Sequence, residues 1–232
     1  EAEIARFEAK YGSLVEAPTA GLEGPPSDNR AIVVRAATEL VVRVPGQTYH
    51  FIDPRVGSPV PANLRAFAEA NRDAIRVAGG VRNRHESNWN IDYRRDMLPY
   101  EPIRILSDAI YLTALMHLEA GRSDDAIGDV VTGLGVAAWL RQERSVVIQH
   151  LWMSNVSWPQ FNAARDILAR SEPSPRALAE LAALLAEDRA PEPMLASILD
   201  EVRATNAIFA RMENGDIDPG IVSYIYPMTW PS

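Results

Sequence analysis

The chain has 232 residues, 47% hydrophobic and 23% charged, with a formal net charge of −8 and no cysteine. A chain of this size needs no disulfide or metal staple to build a core. The missing thiols exclude thiol catalysis and thiolate metal sites, though they leave the compartment open. The 23 basic residues are interleaved with 31 acidic ones, so no concentrated Lys/Arg surface exists for a phosphate backbone, and nucleic acid is not an expected partner.

Residues 1–27 read as an N-terminal helix and linker. Ile4, Phe7, Tyr11 and Leu14 make an apolar stripe, and EAPTAGLEGPPSDN has the Pro, Gly and Ser content of a connecting segment. The chain opens at Glu1 without an initiator Met, which reads as a trimmed or processed form. An N-terminal anchor or signal removed upstream is compatible with it. No apolar run reaches the roughly 18 residues a membrane span needs.

Residues 28–232 read as a single all-helical domain. Ser27, Asp28 or Asn29 caps a helix from Arg30 to about Val42, with Ala31, Val34, Ala37, Leu40 and Val41 at helical spacing. A long loop through QTYHFIDPRVGSPVP follows. A second helix starts at Pro61 or Ala62 and carries Leu64, Phe67, Ala68, Asn71, Ala74, Ile75 and Ala78 inward until Gly79–Gly80 stops it. After a polar loop, residues 100–140 read as an antiparallel helical hairpin around which the rest is organised. Ile103, Leu106, Ile110, Ala114 and Leu118 line one helix, and Ile127, Val131, Leu134 and Ala138 the other. Between them Gly121 suits a left-handed C-cap and Ser123 an N-cap.

A third long helix is predicted from about Ser145 to Ala169, kinked or split by Pro159. Residues 175–188 follow as a short helix on Leu178, Leu181, Leu184 and Leu185. A last helix begins at Pro191 or Pro193, and an extended, aromatic C-terminal tail closes the chain. The predicted fold class is all-α: an irregular bundle or array of about seven helices with repeat-like hairpins.

The motifs that suggest chemistry read better as structure. Gly133-Leu-Gly135-Val-Ala-Ala138 matches a dinucleotide fingerprint in letters, but it continues a helix already capped upstream, so its glycines are expected to permit close helix packing. Asn214 to Gly220 alternates oxygen ligands like a calcium loop, yet Pro219 and Ile225 stand where that loop needs Gly and Glu. No two histidines are spaced four apart on a helix as a helical zinc site requires, and no G-x-S-x-G elbow is present. Neither cofactor nor metal nor catalytic residue is expected.

Two polar constellations stand as candidate ligand-binding residues. His150, Trp152 and Trp158 lie on the third long helix, with Gln149 beside His150 and Asn155 between the two tryptophans. Asp92, Tyr93 and Arg95 lie in the loop entering the hairpin. Each set reads either as an internal hydrogen-bond network anchoring loop and core, or as the wall of a ligand pocket.

From Asp28 to about Met212 the chain resembles a family of uncharacterised bacterial proteins predicted to be tethered to the envelope by one N-terminal helix. The blocks carrying the resemblance are DNRAIVVRAATEL, FAEANRDAI, NIDYRRDM, LTALMHLEAGRSDDAIGDVVTGLGVAAWL and RSVVIQHLWMSNVSWPQFNAARDILAR. It implies an all-helical domain outside the cytoplasmic membrane and transfers no activity. The hairpin is also similar to a tetratricopeptide-like unit, in Leu118, Gly121 and DDAIGDVVTGL, without a second copy about 34 residues away. Two functions follow as expectations. One is a non-catalytic interaction or scaffold module of the bacterial cell envelope that holds a protein or peptide segment in a groove between hairpins. The other is a small-ligand binder, or an enzyme, with its pocket near His150, Trp152 and the Asp92–Asp96 loop.

Overall fold

The spacing of Ile103, Leu106, Ile110, Ala114 and Leu118 produces the helix the sequence predicts, α4 (Tyr100–Glu119), and all five side chains are buried. In the computed structural model, residues 28–43, 58–85, 100–142, 147–186 and 214–215 are described, with side chains described outside 139–154. The regular elements among them are helical. They are α1 (Arg30–Glu39), α2 (Ala62–Ala70), α3 (Arg72–Ala78), a 3-10 turn (Gly79–Asn83), α4, α5 (Ser123–Gln142), α6 (Val147–Arg170) and α7 (Pro175–Ala186). The fold is an all-α array. The N-terminal helix, the helix expected after 190 and the C-terminal tail lie outside the described residues, apart from a turn at Asn214–Gly215.

The hairpin is the centre of the array. α4 is buried on more than one face: Ile105, Ala109 and Leu112 join a cluster with Phe67, Ile127 and Leu134, while Ile103, Leu106 and Ile110 join a second with Val34, Val81 and Val136. Complete burial of each such aliphatic side chain contributes about 1.5–3 kcal/mol. One helix thus knits two clusters together.

The turn between α4 and α5 closes by backbone geometry. Gly121 has φ 72°, its N–H bonds to the Leu118 carbonyl at 3.0 Å, and the Arg122 N–H bonds to the His117 carbonyl at 2.9 Å. That pair of bonds is a Schellman ending, which favours Gly at the left-handed position. Ser123 is not the N-cap expected of it. α5 already includes Ser123, and the Ala126 N–H bonds to the Arg122 carbonyl at 3.0 Å. Because the turn is complete at Arg122, that residue ends one helix and begins the next.

Two further differences from the sequence reading have local causes, and of the two alternatives at Pro159 the split one does not occur. The helix expected over 62–78 is two helices broken at Asn71, whose buried carboxamide bonds to the Phe67 carbonyl and to both backbone groups of Val42 at 2.8–3.2 Å. A side chain competing for backbone partners is a known source of such breaks. α6 runs unsplit through Pro159. A mid-helix proline costs about 3 kcal/mol, and here α6 is held along α4 and α5, with the Ser107 hydroxyl donating to the Val156 carbonyl at 2.7 Å. In α7 the buried face is Ala177, Leu181 and Leu184, while Leu178 and Leu185 are exposed. α1 is capped by Asn29, whose Oδ1 accepts from the Ala31 N–H at 2.9 Å.

The glycines of α5 are packing residues, as expected. A Cβ on Gly133 would overlap the side chain of Gln160, and one on Gly135 would stand 2.7 Å from Val81 Cγ2. Their absence of side chain lets α6 and the 3-10 turn sit close against α5.

Candidate functional site

The site grows from that close approach. With Val81 seated against Gly135, the adjoining Arg82 is carried across the surface of α5, where its guanidinium lies 3.1 Å from a Cβ position on Gly128. Its far end forms an ion pair with Glu180 of α7. Arg176, one turn before Glu180, approaches the other carboxylate oxygen at 3.6 Å. One carboxylate therefore serves two guanidinium groups.

α7 is set in place by its own start. Ser174 caps it by accepting from the Ala177 N–H at 3.3 Å, and the Ser174 N–H donates to Asp124 Oδ1 of α5 at 2.7 Å. That bond lowers the Asp124 carboxyl below its usual range. The link ties the beginning of α7 to the beginning of α5, and α7 then lies along α5. Between α5, α7 and the 3-10 turn a charged cleft remains.

The cleft comprises two adjoining open cavities of about 410 and 370 Å³, which share Arg82, Arg176 and Glu180 as walls. Arg30, Asn83 and His85 also face the larger cavity, beside apolar Val81, Val131 and Leu184. His117, Asp124, Asp125 and Asp129 face the smaller one. Arg30 is only 2% exposed, although it is the first residue of α1. The Arg84 guanidinium donates to the Asn29 carbonyl at 3.3 Å, and the His85 N–H to Asp28 Oδ1 at 2.9 Å. The start of α1 and the end of the 3-10 turn are thereby fastened together at the rim.

Across the hairpin, His117 Nδ1 and Asp129 Oδ2 are 2.7 Å apart, an ion pair by distance when the imidazole is protonated, although neither atom makes a well-aligned hydrogen bond among the described residues. The carboxylate raises the imidazole above the ordinary histidine value of 6.5, outweighing the opposite pull of burial. Burial raises the Asp129 carboxyl, and the imidazole opposes it. With Nδ1 committed to Asp129, Nε2 is the nitrogen left to meet a ligand. No group of three His, Cys, Asp or Glu suited to a metal occurs among the described residues.

The candidates from the sequence lie elsewhere. Asp92, Tyr93 and Arg95 fall outside the described residues, and His150 and Trp152 sit on α6 at positions whose side chains are not described. Trp158 is 61% exposed and lines neither cavity. The Asn155 carboxamide reaches the Tyr100 hydroxyl at 3.4 Å. Sequence reasoning missed Arg30, Arg82, Arg176 and Glu180, which come from three separate elements and share no motif. His117 and Asp129 carried a faint signal, since both lie near the tight turn at Gly121 on helices that run back past one another.

Another polar layer is structural. Gln160 Nε2 donates to the Ser107 carbonyl at 2.9 Å and to its hydroxyl at 3.1 Å, and all of these groups are buried. No helix among the described residues is long and apolar enough to cross a membrane. Comparison of the chain with family models, curated proteins and solved structures finds no match.

Proposed function

We propose that this protein is a non-catalytic helical interaction module of the bacterial cell envelope that holds a segment of a partner protein in the cleft between α5, α7 and the 3-10 turn. The observation that carries the reading is the joining of two open cavities along α7 through the shared residues Arg82, Arg176 and Glu180. An open, charged groove offers alternating polar and apolar places to an extended chain, whereas small-ligand sites are mostly apolar and enclose most of their ligand. The likeness of the hairpin to a tetratricopeptide-like unit supports the same role. The envelope location rests on the resemblance carried by the sequence blocks quoted above.

A small-ligand binder is the second reading, favoured by the size of the cavities, each within or near the range of small-molecule sites. The two are separated by placing a photo-crosslinking residue at Ala183, in the wall of the larger cavity, and at Leu168, exposed on α6. The interaction reading predicts a discrete protein adduct from position 183 in cells and none from 168. Equal labelling from both positions, or none from 183, contradicts it.

A further inference from the structure

One stretch that the sequence singles out, Asn214 to Gly220, has no part in the cleft. Its first two residues are described, and they form an exposed turn. Gly215 has φ 75°, a left-handed conformation that glycine adopts without strain. A Cβ built on it would meet nothing within 4 Å, and among the described residues no backbone hydrogen bond holds its N–H. Asn214 is also the one asparagine of the chain that is followed by glycine.

The fold shields the other described asparagines in ways it does not shield this one. Asn29 caps α1 through its Oδ1, and the buried Asn71 carboxamide is bonded to Val42 and Phe67. Asn63 lies in α2, where the next N–H bonds to the Pro61 carbonyl at 3.0 Å, and Asn83 ends the 3-10 turn, where the next N–H bonds to Val81 at 3.2 Å. Asn155 and Asn162 lie in α6, whose backbone points each following N–H at a carbonyl one turn back.

We propose that Asn214–Gly215 is a site of self-modification in the folded protein, where the asparagine converts to aspartate and isoaspartate through a cyclic imide. The Gly215 nitrogen, on losing its proton to water or hydroxide, attacks Cγ of Asn214. The N–Cγ bond forms, the Cγ–Nδ2 bond breaks, and Nδ2 leaves as ammonia. A side chain on residue 215 would crowd that attack, and glycine has none. Water then adds to one of the two imide carbonyls. Opening at Cγ leaves aspartate, and opening at the main-chain carbonyl leaves isoaspartate, whose backbone runs on through the side-chain carbon. In sum one water is consumed and one ammonia released, with no oxidant or cofactor. Each conversion makes the chain one charge more negative than its formal −8. Neither residue belongs to a core cluster, so the helical array is left as it was. The site is independent of the groove between α5 and α7.

The test is incubation of the purified chain at neutral and at mildly alkaline pH, followed by peptide mapping with mass spectrometry and by ion exchange. Asn214 is expected to convert before every other asparagine, faster at the higher pH, with isoaspartate and aspartate both present. Ion exchange then resolves a species one charge more negative. In denaturant Asn214 converts at a similar rate, because the turn leaves it open, whereas Asn71 converts only there. Asn214→Gln removes the new species and leaves the thermal unfolding curve unchanged, and Gly215→Ala slows its formation. Aspartate without isoaspartate would mean direct hydrolysis and overturns the imide route. Conversion led by another asparagine, or an Asn214 that reacts only once the chain is unfolded, overturns the site.

Discussion

His117 Nδ1 lies 2.7 Å from Asp129 Oδ2, joining the last turn of α4 to the second turn of α5 across the hairpin. The pair belongs both to the hairpin that organises the core and to the wall of the cleft. Because the folded imidazole titrates above its ordinary 6.5, its ion-pair contribution is complete below pH 6.5 and is lost as pH rises through the folded value. Asp129→Asn is therefore expected to lower stability by about 1 kcal/mol at pH 6 and by less at pH 9. Thermal unfolding across that range, with the imidazole followed by NMR, checks both. An imidazole titrating no higher in the parent than in the variant contradicts the pairing.

Asp108 moves stability in the same direction with pH, over a lower range. It is buried in α4, with its nearest cation, Arg104 Nη1, 3.9 Å away, and its Oδ2 has no hydrogen-bond partner among the described residues. Burial pushes its carboxyl from 3.8 up to about 7. The folded state therefore holds a proton that the unfolded chain releases, so stability falls as pH rises between those values, by on the order of 4 kcal/mol. Asp108→Asn removes this loss. Parent and variant are expected to be similar near pH 4 and to diverge steadily toward pH 8, with the variant the more stable. Parallel profiles from denaturant unfolding would show that Asp108 does not titrate in this way.

Gly133→Ala tests the approach of α6 to α5. The new methyl group meets the buried Gln160 side chain, which is fixed by its bonds to Ser107. A loss of about 1–3 kcal/mol is expected. Because the three nearest atoms all belong to Gln160, Gln160→Ala in the same chain relieves part of the clash, so the double variant is more stable than the sum of the two single losses predicts. Strict additivity in urea unfolding would place the strain elsewhere.

The core was legible wherever a helix shows one apolar stripe. The residues that spacing marks on the hairpin are buried, though α4 is buried also at Ile105, Ala109 and Leu112, off that stripe, and the role of Gly133 and Gly135 follows from their position inside a capped helix. Asn71 was legible as an inward residue, though not as a break, because its partner Val42 is 29 positions away. The α7 face was half misread because four leucines outweigh one alanine in a sequence, while in the fold Ala177 is buried with Leu181 and Leu184 and the other two leucines are exposed. The cleft was barely legible, through His117 and Asp129 near the tight turn alone. Its other charges come from α1, the 3-10 turn, α5 and α7, and the packing of Val81 against Gly135 and the bond from Ser174 to Asp124 help bring them together.

The central claim is that the cleft between α5, α7 and the 3-10 turn holds a segment of a partner protein. Methyl NMR of the chain titrated with a peptide of the segment captured from position 183 tests it most directly. The account predicts that the resonances of Val81, Val131 and Leu184, which line the larger cavity, move together and saturate, while those of Leu168 and Leu178 on exposed faces stay fixed. Saturable shifts at Leu168 or Leu178 with Val81 and Leu184 unmoved would contradict it.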